Sequence, residues 1–229
     1  MATFLLLPGA GGAGWYWHRV APLLVQAGHA AIAVDFPAPD ENAGLDAYAD
    51  FAARAAAGQS DVIVVAQSMG GFTAPLVARR VSLRAVVLAN AMIPLPHETA
   101  GAWWDNVKAT EARTQAAKRG GYSPEFDLAT YFLHDVPPDV ASELGQHGGD
   151  EAKVAFETPC DFDAWPAVPI HVVIGADDRF FPADFQERIA RERLGERASS
   201  IARVAGGHLA ALAQPKPMAE RLLAIASLE

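Results

Sequence analysis

Cysteine and long apolar stretches are both scarce in this chain. Cys160 is the only cysteine among 229 residues, which excludes an internal disulfide and a thiolate metal cluster. The apolar stretch at residues 3–7 is too short for a membrane span or a signal peptide, and no basic residue precedes it. From these absences we expect a cytoplasmic protein that has no membrane partner, with residues 3–7 forming its first strand.

Positive charge is scarce as well. Lys and Arg number 18 against 27 Asp and Glu, which gives a formal net charge of -9, and no basic run alternates with aromatic residues. Proteins that bind nucleic acid need clustered Lys and Arg to contact phosphates, so we expect no nucleic-acid partner. Hydrophobic residues make up 51% of the chain, which is enough for one large domain with a sizeable core.

Apolar runs alternate with helix-compatible segments along most of the sequence. We predict strands at residues 3–7, 30–34, 62–66, 85–89, 170–174 and 199–204. We predict helices at residues 17–27, 45–57, 69–80, 182–194 and 208–226. Strands without polar alternation are buried on both faces, and their alternation with helices indicates an α/β fold with a mostly parallel sheet flanked by helices.

The alternation stops once, after the predicted strand that ends at Ala89. Residues 91–165 contain no convincing buried strand, but they include helical patches at 101–118, 127–134 and 139–146 with Gly and Pro between them. We therefore predict a helical cap at residues 91–165. The core would then consist of residues 1–90 and 166–229.

A serine follows the third predicted strand at a sharp turn before a helix. Ala66 and Gly70 are the small residues two places before and after Ser68, as a nucleophile elbow requires because strand and helix approach closely there. The usual motif is G-x-S-x-G, so Ala66 makes this a variant. We predict that Ser68 is a catalytic nucleophile, and an ordinary turn serine is the alternative.

Two further candidate groups follow later strands. Asp178 comes after the fifth predicted strand and His208 after the sixth, and functional groups collect at the carboxyl ends of parallel strands. A serine hydroxyl needs an imidazole to take its proton, and the imidazole needs a carboxylate to orient it. We predict that Ser68 attacks, His208 transfers the proton and Asp178 orients His208, with the adjacent Asp177 as the alternative acid.

A loop of small residues at 8–14 follows the first predicted strand. Small side chains leave backbone N–H groups free to face a ligand, and one donor of an oxyanion hole usually comes from the residue after the nucleophile. We therefore predict that the N–H groups of Ala10 and Met69 form an oxyanion hole.

The same loop also matches a dinucleotide-binding pattern. Gly9, Gly11 and Gly14 fit G-x-G-x-x-G, and Asp35 follows the next strand at the expected distance. The bulky residues 15–17 do not suit a helix start beside a pyrophosphate, and a dinucleotide would leave the predicted triad without a role. We favour the oxyanion hole and predict no cofactor and no metal.

With these residues in place, the chain resembles the α/β-hydrolase superfamily, and within it the plant methylesterase and hydroxynitrile lyase group with its bacterial relatives. The resemblance covers nearly the whole length and is carried by segments 8–17, 67–71, 178–186 and 207–212. It implies the α/β-hydrolase fold. A G-x-x-D-x-x-x-P spacing that begins at Gly175, common in such hydrolases, favours Asp178 over Asp177.

The departures from that group bear on the reaction. The lyase branch implies a hydroxylated residue near position 10 and a lysine after the catalytic histidine, whereas this sequence has Ala10 and Leu209. We therefore predict a serine hydrolase that cleaves a small, apolar carboxylic ester through an acyl-Ser68 intermediate. The alternatives are hydroxynitrile-lyase-like chemistry, cofactor-free oxygenase chemistry and a non-enzymatic small-ligand receptor. The predicted substrate pocket consists of Gly11, Gln67, Trp103, Trp104 and Leu209.

Overall fold

A six-stranded parallel sheet organises the molecule. The computed structural model describes residues 1–147 and 149–228, and its strands lie in the order β2-β1-β3-β4-β5-β6. The strands are β1 (Thr3–Leu7), β2 (Ala30–Ala33), β3 (Val62–Gln67), β4 (Leu83–Ala89), β5 (Ile170–Gly175) and β6 (Ala198–Val204). This arrangement confirms the predicted α/β fold.

Each strand lies within two residues of its predicted ends. The largest difference is at β4, which begins at Leu83 because that residue pairs with Val62 beyond a shift in register. The polar Arg84 interrupts the apolar pattern there, so the two additional residues could not be predicted from the sequence.

Helices cover both faces of the sheet. They are α1 (Ala21–Gln26), α2 (Leu45–Ala55), α3 (Gly70–Ala78), α4 (Ala100–Asn106), α5 (Ala109–Gly120), α6 (Leu128–Tyr131), α7 (Pro138–Leu144), α8 (Lys153–Glu157), α9 (Ala183–Leu194), α10 (Ala210–Ala213) and α11 (Pro215–Leu228). Two predicted helices are divided. A 3₁₀ turn at Gly14–Trp17 precedes α1, and Pro215, which has no N–H to continue α10, begins α11.

The sheet separates two hydrophobic cores. Along β3, where every residue is buried, Val62 and Val64 face one core while Ile63 and Val65 face the other, because successive side chains of a strand point to opposite faces. Helices α2, α3 and α9 complete the first core, and α1 and α11 complete the second. Burial on both faces holds the carboxyl ends of the strands in fixed relative positions.

Helices α4 to α8 occupy the segment between β4 and β5 where the sequence predicts a cap. The structure adds α8 to the predicted helical patches, and an isolated antiparallel bridge joins Thr99 to Pro159. The division of the chain into core and cap at residues 91–165 stays a prediction. In the described part of the chain, no helix combines the length and the apolar composition that a membrane span requires.

Candidate active site

Ser68 lies on the sharp turn between β3 and α3. Its φ is +49°, a conformation that residues other than glycine rarely adopt. Small neighbours make the turn possible: a Cβ on Gly70 would lie 2.5 Å from the Pro8 carbonyl oxygen, and one on Gly71 would overlap the Met92 carbonyl. The close approach of strand and helix thus presents the serine at the sheet edge.

A chain of hydrogen bonds joins three of the predicted residues. The Ser68 Oγ lies 3.1 Å from His208 Nε2, and His208 Nδ1 lies 2.9 Å from Asp178 Oδ2. The side chains of His208 and Asp178 are completely buried. The structure therefore brings together the serine after β3, the acid after β5 and the histidine after β6.

The Asp178 carboxylate is held by several donors. Its Oδ1 accepts the backbone N–H groups of Phe180 and Phe181, both at 2.8 Å, and its Oδ2 accepts the Gln186 amide at 3.0 Å. Asp177 is exposed, and its backbone N–H donates to Gly206. The role of Gln186 was not predicted, although its place early in the helix after Asp178 was an available signal.

The glycine-rich loop and the turn after Ser68 each contribute a free donor, the N–H groups of Ala10 and Met69. A turn closes where the Gly12 N–H donates to the Gly9 carbonyl at 3.2 Å, and a Cβ on Gly9 would lie 2.8 Å from Ser68 Cβ. The N–H groups of Ala10 and Met69 make no hydrogen bond to any residue that the structure describes. Both residues border the same cavity as Ser68, and their role as oxyanion donors stays a prediction.

A half-buried carboxylate holds the next residue of this loop. The Gly11 N–H donates to Glu151 Oε2 at 2.8 Å, and the Tyr48 hydroxyl donates to Glu151 Oε1. Burial raises the pKa of Glu151, and these two hydrogen bonds oppose that rise. This contact fixes the orientation of the Ala10–Gly11 peptide, which is next in the chain to the peptide that carries the Ala10 N–H.

The dinucleotide-like spacing has a local structural explanation. Asp35 Oδ1 accepts the Gly14 N–H at 2.8 Å, so the acid that follows β2 holds the end of the loop in place by a hydrogen bond. Cβ atoms on Gly12 and Gly14 would each lie 2.8 Å from backbone oxygens, those of Phe36 and Val34. The glycines therefore allow the loop to pack against the chain that follows β2.

A cavity of about 960 Å³ opens above Ser68. Apolar side chains dominate its walls, and no Lys or Arg is among its described lining residues. Four of the predicted pocket residues border it, namely Gly11, Gln67, Trp104 and Leu209. The Gln67 amide nitrogen is 3.4 Å from His208 Nε2, so this side chain also touches the candidate catalytic histidine.

The structure does not bring Trp103 to the cavity. Its side chain is 1% exposed, its indole N–H donates to the Ile93 carbonyl at 3.1 Å, and its ring packs against Phe181 and Phe185. Two adjacent residues of a helix point in different directions, so only Trp104 reaches the cavity.

Aromatic rings surround the imidazole of His208. The ring centroids of Phe132 and Phe180 each lie 4.9 Å from that of His208, and the centroid of Phe181 lies at 5.1 Å. These rings limit the access of water to the hydrogen-bonded chain. Among the described residues, no group of three or more His, Cys, Asp or Glu is arranged to hold a metal ion.

Comparisons with known proteins agree with this architecture. Polyneuridine aldehyde esterase has a similar structure, with 18% identity, a TM-score of 0.78 and coverage of 99% of both chains. An Arabidopsis methylesterase has 17% identity, a TM-score of 0.76 and full coverage of both chains. An extracellular α/β-hydrolase from a Paenibacillus species has 18% identity, a TM-score of 0.76 and coverage of 98% of both.

At these identities the structural matches show the fold alone, and no curated protein matches the sequence. The family model described as the alpha/beta hydrolase family matches residues 4–221, which is nearly the whole chain. The chain therefore belongs to the α/β-hydrolase family.

Proposed function

We propose that the protein is a serine hydrolase that cleaves apolar carboxylic esters. The observation that carries this proposal is the hydrogen-bonded chain from Ser68 through His208 to Asp178 at the floor of an apolar cavity. The similar structures are described as an esterase, a methylesterase and a hydrolase, which supports the same class of reaction.

In the proposed first half-reaction, Ser68 Oγ attacks the ester carbonyl while His208 Nε2 takes the hydroxyl proton. Asp178 holds the imidazole with Nδ1–H directed at its carboxylate and stabilises the imidazolium that forms. The carbonyl oxygen becomes an oxyanion that accepts the N–H groups of Ala10 and Met69. Collapse of this intermediate expels the alcohol, which receives its proton from His208, and leaves an acyl-Ser68 ester.

In the proposed second half-reaction, a water molecule replaces the alcohol. His208 takes a proton from that water as its oxygen attacks the acyl carbon, and the same two N–H groups stabilise the second oxyanion. Transfer of the proton to Ser68 Oγ breaks the acyl-enzyme bond and releases the carboxylic acid. One ester and one water thus give one acid and one alcohol, with no cofactor needed.

The cavity supports a substrate larger than the small ester expected from the sequence. Its volume of about 960 Å³ lies near the upper end of the ~300–1,000 Å³ range of ligand pockets. The absence of Lys and Arg from its described lining disfavours substrates with a carboxylate or phosphate, because nothing would compensate for the loss of their hydration. We propose an uncharged ester with an aromatic or other bulky apolar group.

The test compares the wild-type protein with Ser68→Ala on a panel of p-nitrophenyl and methyl esters that differ in size. Ser142→Ala is the matched control, because Ser142 borders the same cavity but its hydroxyl donates to the Asp139 carbonyl. We expect Ser68→Ala to lower kcat by at least about 10⁴-fold and Ser142→Ala to change it less than about threefold.

Equal rates for Ser68→Ala and the wild type would refute the proposal. Cyanide release from mandelonitrile without ester cleavage would favour the lyase alternative instead. Tight binding of an ester with no more than a single turnover would favour a ligand receptor.

A further inference from the structure

Strand β4 contributes no member of the candidate triad, although it lies in the sheet between β3 and β5. The residues after it nevertheless contact the turn that carries Ser68. The Met92 N–H donates to the Ser68 carbonyl at 2.9 Å, and the Ser68 N–H donates to the Ala89 carbonyl at 3.4 Å. The end of β4 therefore holds the backbone of the proposed nucleophile from both sides.

The Asn90 side chain connects the same segment to the other two loops of the site. Its Oδ1 accepts the Gly175 N–H at 2.6 Å, at the start of the turn that leads to Asp178. Its Nδ2 donates to the carbonyl oxygens of Gly207 at 2.9 Å and His208 at 3.1 Å. Asn90 is completely buried, so water does not compete for these bonds.

The backbone around Asn90 is shaped for these contacts. Asn90 has a φ of +46°, and Asn is one of the few residues other than Gly that tolerate this region. A Cβ on Gly175 would lie 2.5 Å from the Gly207 oxygen, 2.6 Å from the Gly206 oxygen and 3.1 Å from Asn90 Nδ2. The missing side chain at Gly175 thus lets the Asn90 amide reach the loop after β6.

We infer that Asn90 is a positioning residue that fixes the His208 loop relative to Ser68 and Asp178. This inference rests on the proposed hydrolase chemistry of Ser68. One amide joins the ends of β4 and β5 to the loop after β6, so its loss allows His208 to move away from Ser68 Oγ. A displacement of about 1 Å in such a site costs on the order of 10²-fold in rate.

Two variants separate this role from a purely structural one. Asn90→Gly tolerates the positive φ but removes all three side-chain hydrogen bonds. Asn90→Asp keeps the shape and the acceptor for Gly175, but it directs a carboxylate oxygen at two carbonyl oxygens. The matched controls are the same two changes at Asn42, which is exposed and contacts only the nearby Asp40 in the described hydrogen bonds.

We expect Asn90→Gly to lower kcat by about 10–100-fold, while KM changes less than about threefold. Each rate is divided by the concentration of active enzyme, which is the amount of serine that a fluorophosphonate has labelled when the labelling is complete. For Asn90→Asp, the ratio of its kcat to the wild-type kcat should rise at least about fivefold between pH 8.5 and pH 6. A protonated carboxyl group regains one donor for the facing carbonyls. The ratio should stay constant over this range for Asn42→Asp.

Normalised kcat values within twofold of wild type for Asn90→Gly, or a flat ratio for Asn90→Asp, would overturn the inference even if the melting temperature falls. If Asn90→Gly does not fold, the pH dependence of Asn90→Asp decides alone. The initial rate of fluorophosphonate labelling distinguishes a failure of the proposed function from a failure of the role inferred for Asn90. A wild type that is neither labelled nor active on esters refutes the proposed function, whereas equal labelling rates in wild type and both Asn90 variants refute only the role of Asn90.

Discussion

The two walls of the cavity are built in different ways. On the sheet side, backbone hydrogen bonds and glycine contacts hold Ser68 and the loops that carry Asp178 and His208. On the side of residues 91–165, the wall consists of side chains such as Trp104 and Phe132, whose rings both pack against Phe180. Backbone contacts fix position closely, whereas ring contacts tolerate substitution and rearrangement.

The difference between the walls indicates that one wall positions the reacting groups and the other binds the substrate. A reaction needs donors and acceptors placed within about 0.5 Å, which the sheet side can provide. Binding an apolar ester needs buried area more than exact placement, which the ring-packed side provides. We therefore expect changes at the sheet side to lower kcat and changes at the ring-packed side to raise KM.

Among the changes that test this comparison of the walls, the largest expected effect is at the acid of the sheet side. Asp178→Asn should lower kcat by about 10³–10⁴-fold, because the amide would hold His208 in the wrong tautomer. Asp177→Asn is the matched control and should stay within about twofold of wild type, since Asp177 is exposed. Steady-state kinetics on one ester checks both. An inactive Asp177→Asn beside an active Asp178→Asn would contradict the assignment.

A buried ion pair joins α9 to the beginning of the segment 91–165. Arg193 Nη2 donates to Glu98 Oε1 at 2.9 Å, and both side chains are at least nine-tenths buried. Arg193→Met should lower the free energy of unfolding by about 3–5 kcal/mol, because it leaves the Glu98 charge without its partner. Urea unfolding measures this loss, and Arg191→Met, at an exposed arginine that pairs with Glu187 in the same helix, is the control.

The effect of the ion pair should also depend on pH. Burial alone would raise the pKa of Glu98, but the hydrogen bonds from Arg193 and Asn106 hold that pKa below its usual value. The pair therefore stabilises the fold above the pKa of an unfolded glutamate, about 4.3. Its contribution is lost as the pH falls through the lowered pKa of Glu98. A deficit of Arg193→Met that is unchanged at low pH would contradict this account.

A smaller effect is expected at the ring-packed wall. Trp104→Ala should raise KM for an aromatic ester by about tenfold while kcat changes less than about threefold, because the change removes apolar contact area and leaves the triad untouched. Trp165→Ala is the matched control, a half-buried tryptophan outside the cavity. If Trp104→Ala lowers kcat and leaves KM unchanged, the ring-packed wall does not act mainly in substrate binding.

The smallest expected effect concerns Glu151, which joins the segment 91–165 to Gly11 in the loop after β1. Its pKa is raised mainly by burial, so its contribution to stability is present below the unfolded pKa and is lost as the pH rises through the folded pKa. Glu151→Gln should therefore increase the free energy of unfolding at pH 7 by roughly 1 kcal/mol, and the gain should shrink as the pH is lowered. The exposed Glu143→Gln is the control. A lower free energy of unfolding for Glu151→Gln than for the wild type at pH 7 would contradict the statement that burial of the Glu151 charge destabilises the fold.

The sheet and the order of the candidate triad could be predicted from the sequence because both depend on local patterns. Apolar runs mark the strands, and parallel strands bring their carboxyl ends to one edge, so Ser68, Asp178 and His208 had to lie near each other. Asn90 and Glu151 gave no local signal. The Asn90 amide meets Gly175 across 85 positions of sequence, and Glu151 meets Gly11 across 140.

The walls formed by residues 91–165 were predicted less well. Trp103 and Trp104 are adjacent in a helix, and only the packing of α4 against Phe181 and Phe185 decides which of them reaches the cavity. Helix α8 has a single turn (Lys153–Glu157) and little apolar periodicity, so it was not predicted. Tertiary contacts rather than local sequence determine both features.

The role of Ser68 as nucleophile can be tested by labelling the folded protein with a fluorophosphonate and mapping the modified peptide by mass spectrometry. We expect stoichiometric modification of Ser68 alone, slowed by at least about 10³-fold in His208→Ala, because the imidazole activates the hydroxyl. Modification of a different serine, or labelling of Ser68 at the same rate without His208, would contradict it.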